Sequence, residues 1–196
     1  GDIIMGEDSI LDEYKNKSDD LGVVDASKKV KIGIIGCGGI ANGKHMPSLA
    51  KVKGVEMVAF CDIIPEKAEK AAKKFGTADA KTYTDYKELL TKKSEIDAIC
   101  VSTAWEPHIE IAVASMRAGI PVAIEVGGAY SVEDCFDLVR TQVETGTKFM
   151  FLENCCYGRR ELMVLDMVNK GLFGEVVHCE GGYRHDLRNE ISRGKE

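Results

Sequence analysis

A short apolar strand that runs directly into a glycine turn constrains the fold of this chain more than any other stretch. The strand covers residues 30–35, and the turn after it has the pattern Gly-x-Gly-x-x-Ala over residues 36–41. Gly36 allows a tight turn off the strand, and Gly38 has no Cβ to obstruct a phosphate group. The small side chain of Ala41 lets the following helix pack closely against the strand. The stretch therefore predicts a strand–turn–helix unit.

The helix that follows this turn supplies the means of holding an anion. The amides of Gly39 and Ile40 stand at its start, where unpaired N–H groups and the positive end of the helix dipole attract phosphate. Glycine turns between a strand and a helix also occur without any ligand. The motif alone leaves both interpretations open.

The end of the next predicted strand decides between them. Asp62 follows the strand 56–61 and lies 21 residues after Ala41. A carboxylate at this point accepts a hydrogen bond from the 2′-hydroxyl of an adenosine ribose. The next two residues are Ile63 and Ile64, so no arginine is at hand to pair with a 2′-phosphate. The combination predicts NAD, rather than NADP, as the cofactor.

From residue 30 onward, strand patterns alternate with helix patterns. The predicted strands cover residues 30–35, 56–61, 81–83, 97–102, 121–125, 148–152 and 175–183. The predicted helices cover residues 40–52, 65–75, 85–93, 107–118, 132–144 and 159–169. Pro47 predicts an irregular first helix, and Thr84 and Ser131 are the expected N-caps of two later ones. Such alternation predicts an α/β fold with a Rossmann-type, doubly wound parallel sheet.

Composition excludes several classes of function. The net charge of −6 and the lack of a basic cluster argue against a nucleic-acid partner. No apolar run approaches the roughly 20 residues that span a membrane, and no signal peptide pattern is present. The 7 cysteines are odd in number and lack the spacing of a zinc site, so we expect no metal and a reducing, cytoplasmic location.

Three segments are expected. Residues 1–29 read as a flexible acidic arm, 30–155 as an NAD-binding Rossmann domain, and 156–196 as a connecting helix and the first strand of a second, substrate-binding domain. The residues after 183 are too few to complete that domain, so we expect the chain to be the front part of a longer protein that binds NAD but turns over little substrate alone. The free edge of strand 175–183 favours a homo-oligomer.

Ligands of such sheets bind outside the carboxyl ends of the strands, which makes the strand exits the candidate site. Trp105 and His108 follow the fourth main strand, Glu125 the fifth and Asn154 the sixth. A carboxylate leaving a buried strand is costly without a partner or a role, which draws attention to Glu125. The alternatives are packing for Trp105, a helix-start hydrogen bond for His108, and an Asn turn for Asn154.

The last predicted strand carries the candidate catalytic groups. Tyr183 and His185 share one face if the strand extends that far. A phenol and an imidazole together can bind a sugar or relay a proton. The alternative is an ordinary exposed strand edge.

Taken in order, these motifs resemble the glucose–fructose oxidoreductase, inositol dehydrogenase and MocA (Gfo/Idh/MocA) family. The matching features are G-C-G-G-I-A from Gly36, Asp62, W-E-P-H from Trp105 and A-G-I-P-V-A-I-E ending at Glu125. The resemblance implies a Rossmann domain followed by an α/β substrate domain. Val126 departs from the family pattern, which has a lysine there to polarise the reacting carbinol.

The stretches E-N-C-C-Y-G-R-R from Glu153 and G-x-Y-x-H-D-L around Tyr183 are similar to NAD-dependent glycoside hydrolases of the α-N-acetylgalactosaminidase type. That resemblance implies that residues 105–108, Glu125, Val126 and Asn154 contact NAD, and that Tyr183 contacts a sugar or glycoside substrate. It implies transient oxidation at sugar C3, loss of the C2 proton, elimination at C1, addition of water and reduction back. His185 is our own hypothesis for proton transfer. A sugar or cyclitol dehydrogenase and a non-catalytic NAD-binding module remain the alternatives.

Overall fold

A six-stranded parallel sheet forms the centre of the molecule in a computed structural model that describes residues 28–182, 184, 186 and 188. The strands are β1 (Val30–Ile35), β2 (Val55–Cys61), β3 (Lys81–Tyr83), β4 (Ala98–Val101), β5 (Val122–Ile124) and β6 (Phe149–Phe151). Their order in the sheet is β3-β2-β1-β4-β5-β6. The predicted doubly wound α/β fold is confirmed. The predicted arm 1–29 falls almost entirely on residues that lie outside this description.

The strand register brings the carboxyl ends of neighbouring strands level with each other. Ile35 at the end of β1 pairs with Cys61 at the end of β2 and with Val101 at the end of β4. Val101 in turn pairs with Ile124 of β5. Because the chain winds outward in opposite directions from β1 and β4, a crevice opens between the loops that leave these two strands.

Helices connect the strands and cover both faces of the sheet. They are α1, π-helical over Ala41–His45 and α-helical over Met46–Leu49, then α2 (Pro65–Phe75), α3 (Tyr86–Leu90), α4 (His108–Arg117), α5 (Val132–Thr145) and α6 (Arg159–Asn169). The irregularity predicted for the first helix is present, since a π turn precedes Pro47. In the described part of the chain, no helix is long and apolar enough to cross a membrane.

The core consists of two layers, one on each face of the sheet. Period-two alternation along β1 sends Ile34 to one face and Ile35 to the other. The Ile34 side packs with Phe60 and with Met46 of the first helix. The Ile35 side packs with residues of α4, including Met116. These layers fix the strand exits on which the candidate site depends.

The helix after β3 is shorter than predicted and has a different cap. It runs over Tyr86–Leu90, whereas the sequence pattern predicted residues 85–93 with Thr84 as N-cap. Asp85 is the N-cap, and its carboxylate accepts a hydrogen bond from the backbone N–H of Lys87 at 2.8 Å. A carboxylate one residue further along satisfies the helix start better than the threonine hydroxyl, because it also suits the helix dipole.

Residues 154–196 form a unit separate from residues 1–153. Its described part contains α6, followed by Gly171 and Gly174 with positive φ, and then a stretch without regular structure up to residue 182. The strand predicted over 175–183 is therefore wrong for residues 175–182. Residues 154–182 contain no other strand with which residues 175–182 could form backbone hydrogen bonds. Without this strand there is no strand edge to support the expected self-association. Tyr183, the last residue of the predicted strand, lies outside the described residues.

Candidate functional site

The glycine turn after β1 lies at the reversal point of the strand order. Gly36 has φ of +89°, and its N–H donates to the carbonyl of Cys61 at 2.8 Å. A Cβ on Gly36 would lie 2.6 Å from the backbone of Ser102 and Thr103. The turn therefore passes between the exits of β2 and β4, where only glycine meets both the steric and the backbone requirement.

The next two glycines face open space. A Cβ built on Gly38 or Gly39 meets no atom within 4 Å, and the side chain of Ile40 is exposed. Asn42 holds the turn in shape, since its Nδ2 donates to the carbonyls of Cys37 and Gly38 at 2.6 and 3.0 Å. The start of the helix is thus uncovered and has room for a diphosphate, which is the group that the predicted coenzyme would place there.

Asp62 lies at the end of β2, beside the same turn. Its Oδ2 accepts the N–H of Cys37 at 2.8 Å, and its Oδ1 accepts the N–H of Ile64 at 2.9 Å. Each carboxylate oxygen keeps a further lone pair for a ribose hydroxyl. Burial, followed by the charge of Asp62, raises the pKa of the Cys37 thiol to about 12, so this cysteine stays protonated in the turn. Asp62 therefore shapes the turn as well as offering an acceptor to a ligand.

The loop after β4 contains one exposed and one fully buried candidate. Trp105 is 62% exposed, whereas His108 is completely buried at the start of α4. The Nε2 of His108 lies 3.1 Å from the carbonyl of Thr103, so this nitrogen must be the donor. Its Nδ1 is buried and has no hydrogen-bond partner among the described residues. The hydrogen bond from His108 to Thr103 holds the loop after β4 in shape. The predicted contact of His108 with the coenzyme stays a prediction.

Two glycines after β5 let its exit loop lie directly on this β4 loop. Gly127 has φ of +96°, and a Cβ there would lie 3.1 Å from the ring of Trp105. A Cβ on Gly128 would lie 2.5 Å from the Cβ of His108. The two glycines therefore serve a close approach of one loop to another.

Glu125 meets a partner that sequence reasoning missed. Its Oε1 lies 2.5 Å from Nε2 of His45, and the two side chains are 22% and 19% exposed. Its Oε2 accepts the N–H of Val126 at 3.2 Å. His45 and Glu125 are 80 residues apart in the chain, so the sequence offers no local signal for the pair.

The remaining predicted site residues belong to the second unit or lie outside the described residues. Asn154 is exposed and belongs to the second unit. Tyr183 and His185 lie outside the described residues, so their catalytic roles stay predictions. Among the residues that the structure describes, no group of three or more His, Cys, Asp or Glu side chains is placed to hold a metal ion.

The residues present fit a dinucleotide. The open space over Gly38 and Gly39 accommodates the diphosphate, and Asp62 lies on the β2 side of it. The buried, unpaired Nδ1 of His108 lies in the loop on the other side of the turn. The open turn with the Asp62 carboxylate beside it is the arrangement that a dinucleotide requires.

Two family models match the chain in succession. The model described as "Oxidoreductase family, NAD-binding Rossmann fold" matches residues 30–152. The model described as "Glycosyl hydrolase 109, C-terminal domain" matches residues 157–196.

Curated relatives agree with both matches. A "Glycosyl hydrolase family 109 protein" of Solibacter usitatus is 40% identical over 82% of this chain and 38% of its own length. The "Alpha-N-acetylgalactosaminidase" of Tannerella forsythia is 39% identical over 82% of this chain and 36% of its own length. The chain therefore spans less than half the length of these relatives.

Solved structures share the fold. The myo-inositol 2-dehydrogenase of Lactobacillus plantarum is 24% identical, with a TM-score of 0.68 over 76% of this chain and 44% of its own. The WlbA dehydrogenase of Bordetella pertussis, solved with NADH and UDP-GlcNAcA, is 24% identical, with a TM-score of 0.67 over 75% of this chain and 44% of its own. The chain therefore belongs to the Gfo/Idh/MocA family of oxidoreductases, and residues 30–152 are its NAD-binding Rossmann domain.

Proposed function

We propose that this chain is the coenzyme-binding part of an NAD-dependent glycosidase that acts through transient oxidation of its sugar. The observation that carries the proposal is the succession of two matches in one chain, an NAD-binding oxidoreductase domain followed directly by a glycosyl hydrolase 109 segment. The similarity to the α-N-acetylgalactosaminidase of Tannerella forsythia supports an N-acetylated amino sugar as the first substrate to test.

When bound, NAD supplies a reversible oxidation of the sugar at C3, which acidifies the C2 proton and lets the C1 substituent leave by elimination before water adds. Such a cycle differs from the usual mechanism of glycosidases, which relies on two carboxylates. The cycle regenerates NAD in each turnover, so the coenzyme can stay bound and need not be exchanged between turnovers.

The residues of the crevice divide the work of binding. The turn at Gly38 and Gly39 receives the diphosphate, and Asp62 receives the 2′-hydroxyl of the adenosine ribose. Glu125 follows β5, on the opposite side of the turn from Asp62, and would hold the nicotinamide half of the coenzyme. These contacts orient the coenzyme so that its reactive ring meets the sugar.

We place proton transfer on residues other than those that bind the coenzyme. Val126 follows Glu125 and has an apolar side chain that neither donates nor accepts a proton. We assign the sugar contact to Tyr183 and the proton transfer to His185. Asn154 completes the contacts to the coenzyme in this proposal.

The test is to assay a longer protein that contains this sequence with p-nitrophenyl α-N-acetylgalactosaminide in deuterated water. Elimination through a C3 ketone exchanges the C2 proton with solvent, so the released sugar carries deuterium at C2 and no NADH accumulates. Net accumulation of NADH would instead indicate a sugar dehydrogenase. Hydrolysis with C2 still carrying protium would contradict the proposed mechanism.

A further inference from the structure

The contact between His45 and Glu125 joins the first helix to the far side of the coenzyme crevice. Nε2 of His45 and Oε1 of Glu125 are 2.5 Å apart, and less than a quarter of either side chain is exposed. The contact bridges the helix after β1 and the exit of β5, which are not neighbours in the sheet because β4 lies between them. A partly buried contact of this kind is less screened by solvent than a surface pair.

A π turn in the first helix brings His45 to this position. The N–H of Met46 donates to the carbonyl of Ala41, five residues earlier. The bonds on either side have α-helical spacing, from Asn42 to Gly38 and from Ala50 to Met46. One extra residue is thus accommodated within a single turn, which changes the direction of the side chains that follow. Such turns are less favourable than a regular α-helix and often occur at functional sites.

Both ends of the π turn are anchored at the crevice by side chains. Asn42 donates to the carbonyls of Cys37 and Gly38 in the glycine turn. His45 reaches in the other direction, to Glu125. The π turn therefore ties the diphosphate cradle to the end of β5.

The strand order indicates which part of the coenzyme this tie serves. Asp62 ends β2, on one side of β1, and Glu125 ends β5, on the other. With the adenosine ribose at Asp62 and the diphosphate at the glycine turn, the nicotinamide riboside would extend past β4 toward Glu125. A carboxylate only accepts hydrogen bonds, so its orientation decides whether its free lone pairs meet the donors of that riboside.

We propose that His45 is a positioning residue that fixes the Glu125 carboxylate for the nicotinamide half of NAD. Oε1 of Glu125 is held by His45 and Oε2 by the N–H of Val126, which leaves one defined carboxylate plane. This inference rests on the coenzyme contact of Glu125 proposed above.

The test compares NAD with ADP, which lacks the nicotinamide riboside, in calorimetric titrations of the full chain. For His45→Ala we expect the Kd of NAD to rise about tenfold, equivalent to about 1.4 kcal/mol, while the Kd of ADP changes less than about twofold. His45→Gln keeps an amide donor within reach of Glu125 and should restore most of the NAD affinity. Ser48→Ala, an exposed residue further along the same helix, is the matched control and should change neither Kd.

A double-mutant cycle separates positioning from a general structural effect. If His45 acts through Glu125, then His45→Ala has no further effect on NAD binding in a Glu125→Ala background. Equal losses of NAD and ADP affinity, or additive losses in the double variant, would overturn the proposal. This test measures coenzyme binding and the deuterium experiment measures the sugar chemistry, so a failure of this inference can be told apart from a failure of the proposed function.

Discussion

Substituting alanine at two glycines of the same turn is expected to affect two different quantities, the stability of the fold at Gly36 and the affinity for NAD at Gly38. Gly36→Ala places a Cβ 2.6 Å from the backbone of Ser102 in a residue with positive φ, so it should destabilise the fold. The φ strain alone is worth about 1–2 kcal/mol. Gly38→Ala meets no protein atom within 4 Å, so it should leave stability nearly unchanged while weakening NAD binding about tenfold, since its methyl group occupies the space for the diphosphate.

Denaturant unfolding and NAD titration of both variants measure the two effects separately. Gly181→Ala is the control, because a Cβ at that glycine also meets no atom within 4 Å and the residue lies outside the crevice unit. If Gly38→Ala bound NAD as tightly as the wild type, the diphosphate would not bind at this turn.

Asp62 is expected to select the coenzyme through its charge. Asp62→Asn keeps an oxygen that can accept the N–H of Cys37 but removes the negative charge that repels a 2′-phosphate. We expect the preference for NAD over NADP to fall about tenfold, equivalent to about 1.4 kcal/mol. The ratio of the two dissociation constants measures this, because a general loosening of the turn weakens both ligands and cancels in the ratio. A ratio equal to that of the wild type would mean that Asp62 does not read the ribose.

The sequence marks individual residues whose conformation depends on their near neighbours in the chain. It does not mark a residue whose contact is with a distant part of the chain. Gly36 and Asp62 were identifiable because a tight turn and a strand exit each fix a residue at a set spacing. His45 was not, because its contact needs a π turn and a partner 80 residues away. The π turn itself had a weak signal in Pro47, which predicted irregularity without its form.

Among the helices, α5 offers the clearest test of a local signal. The hydroxyl of Ser131 accepts the N–H of Asp134 at 3.1 Å, and Asp134 Oδ2 accepts the N–H of Ser131 at 2.9 Å, which together form a capping box. Ser131→Ala should lower the free energy of unfolding by about 1 kcal/mol at neutral pH. Ser94→Ala is the control, since Ser94 is exposed in the described structure and caps no helix. Equal unfolding midpoints for the two variants in urea would contradict the role of the cap.

The same box should weaken in acid. The hydrogen bond from the N–H of Tyr130, and then those from Ser131, lower the pKa of Asp134 below its ordinary value. A carboxyl group with a lower pKa in the folded state stabilises the fold above its unfolded pKa and loses that contribution as the pH falls through the folded pKa. The contribution of Asp134 should therefore begin to fall below about pH 4 and be lost as the pH drops through the lower folded pKa. Asp134→Asn should unfold with a shallower dependence on pH in that range.

The helix predicted over residues 65–75 and the strand predicted over residues 175–183 show how far local signals reach. The helix Pro65–Phe75 begins at a proline and stops before Gly76, and it has the predicted bounds. The strand predicted over 175–183 had a suitable apolar pattern, but residues 154–182 provide no neighbouring strand to pair with. A strand depends on hydrogen bonds from elsewhere in the chain, whereas a helix makes its own.

On the scale of the whole molecule, coenzyme binding and catalysis are expected to separate. The glycine turn, Asp62 and the His45–Glu125 pair all belong to the unit that ends at residue 153. That unit has a buried apolar cluster on each face of its sheet. The residues proposed for sugar contact and proton transfer, Tyr183 and His185, belong to the second unit, and the relatives extend well beyond the segment that matches it.

The 196-residue chain should therefore bind NAD and yet fail to hydrolyse a glycoside. NAD at about 100 times its Kd should raise the free energy of unfolding by about 2.7 kcal/mol, because it binds only the folded state. Urea unfolding with and without NAD measures this, and Gly38→Ala at the same NAD concentration should show a smaller increase. Release of p-nitrophenol from the α-N-acetylgalactosaminide by this chain, at a rate comparable to that of the longer protein, would mean that the residues up to 196 already form a complete active site.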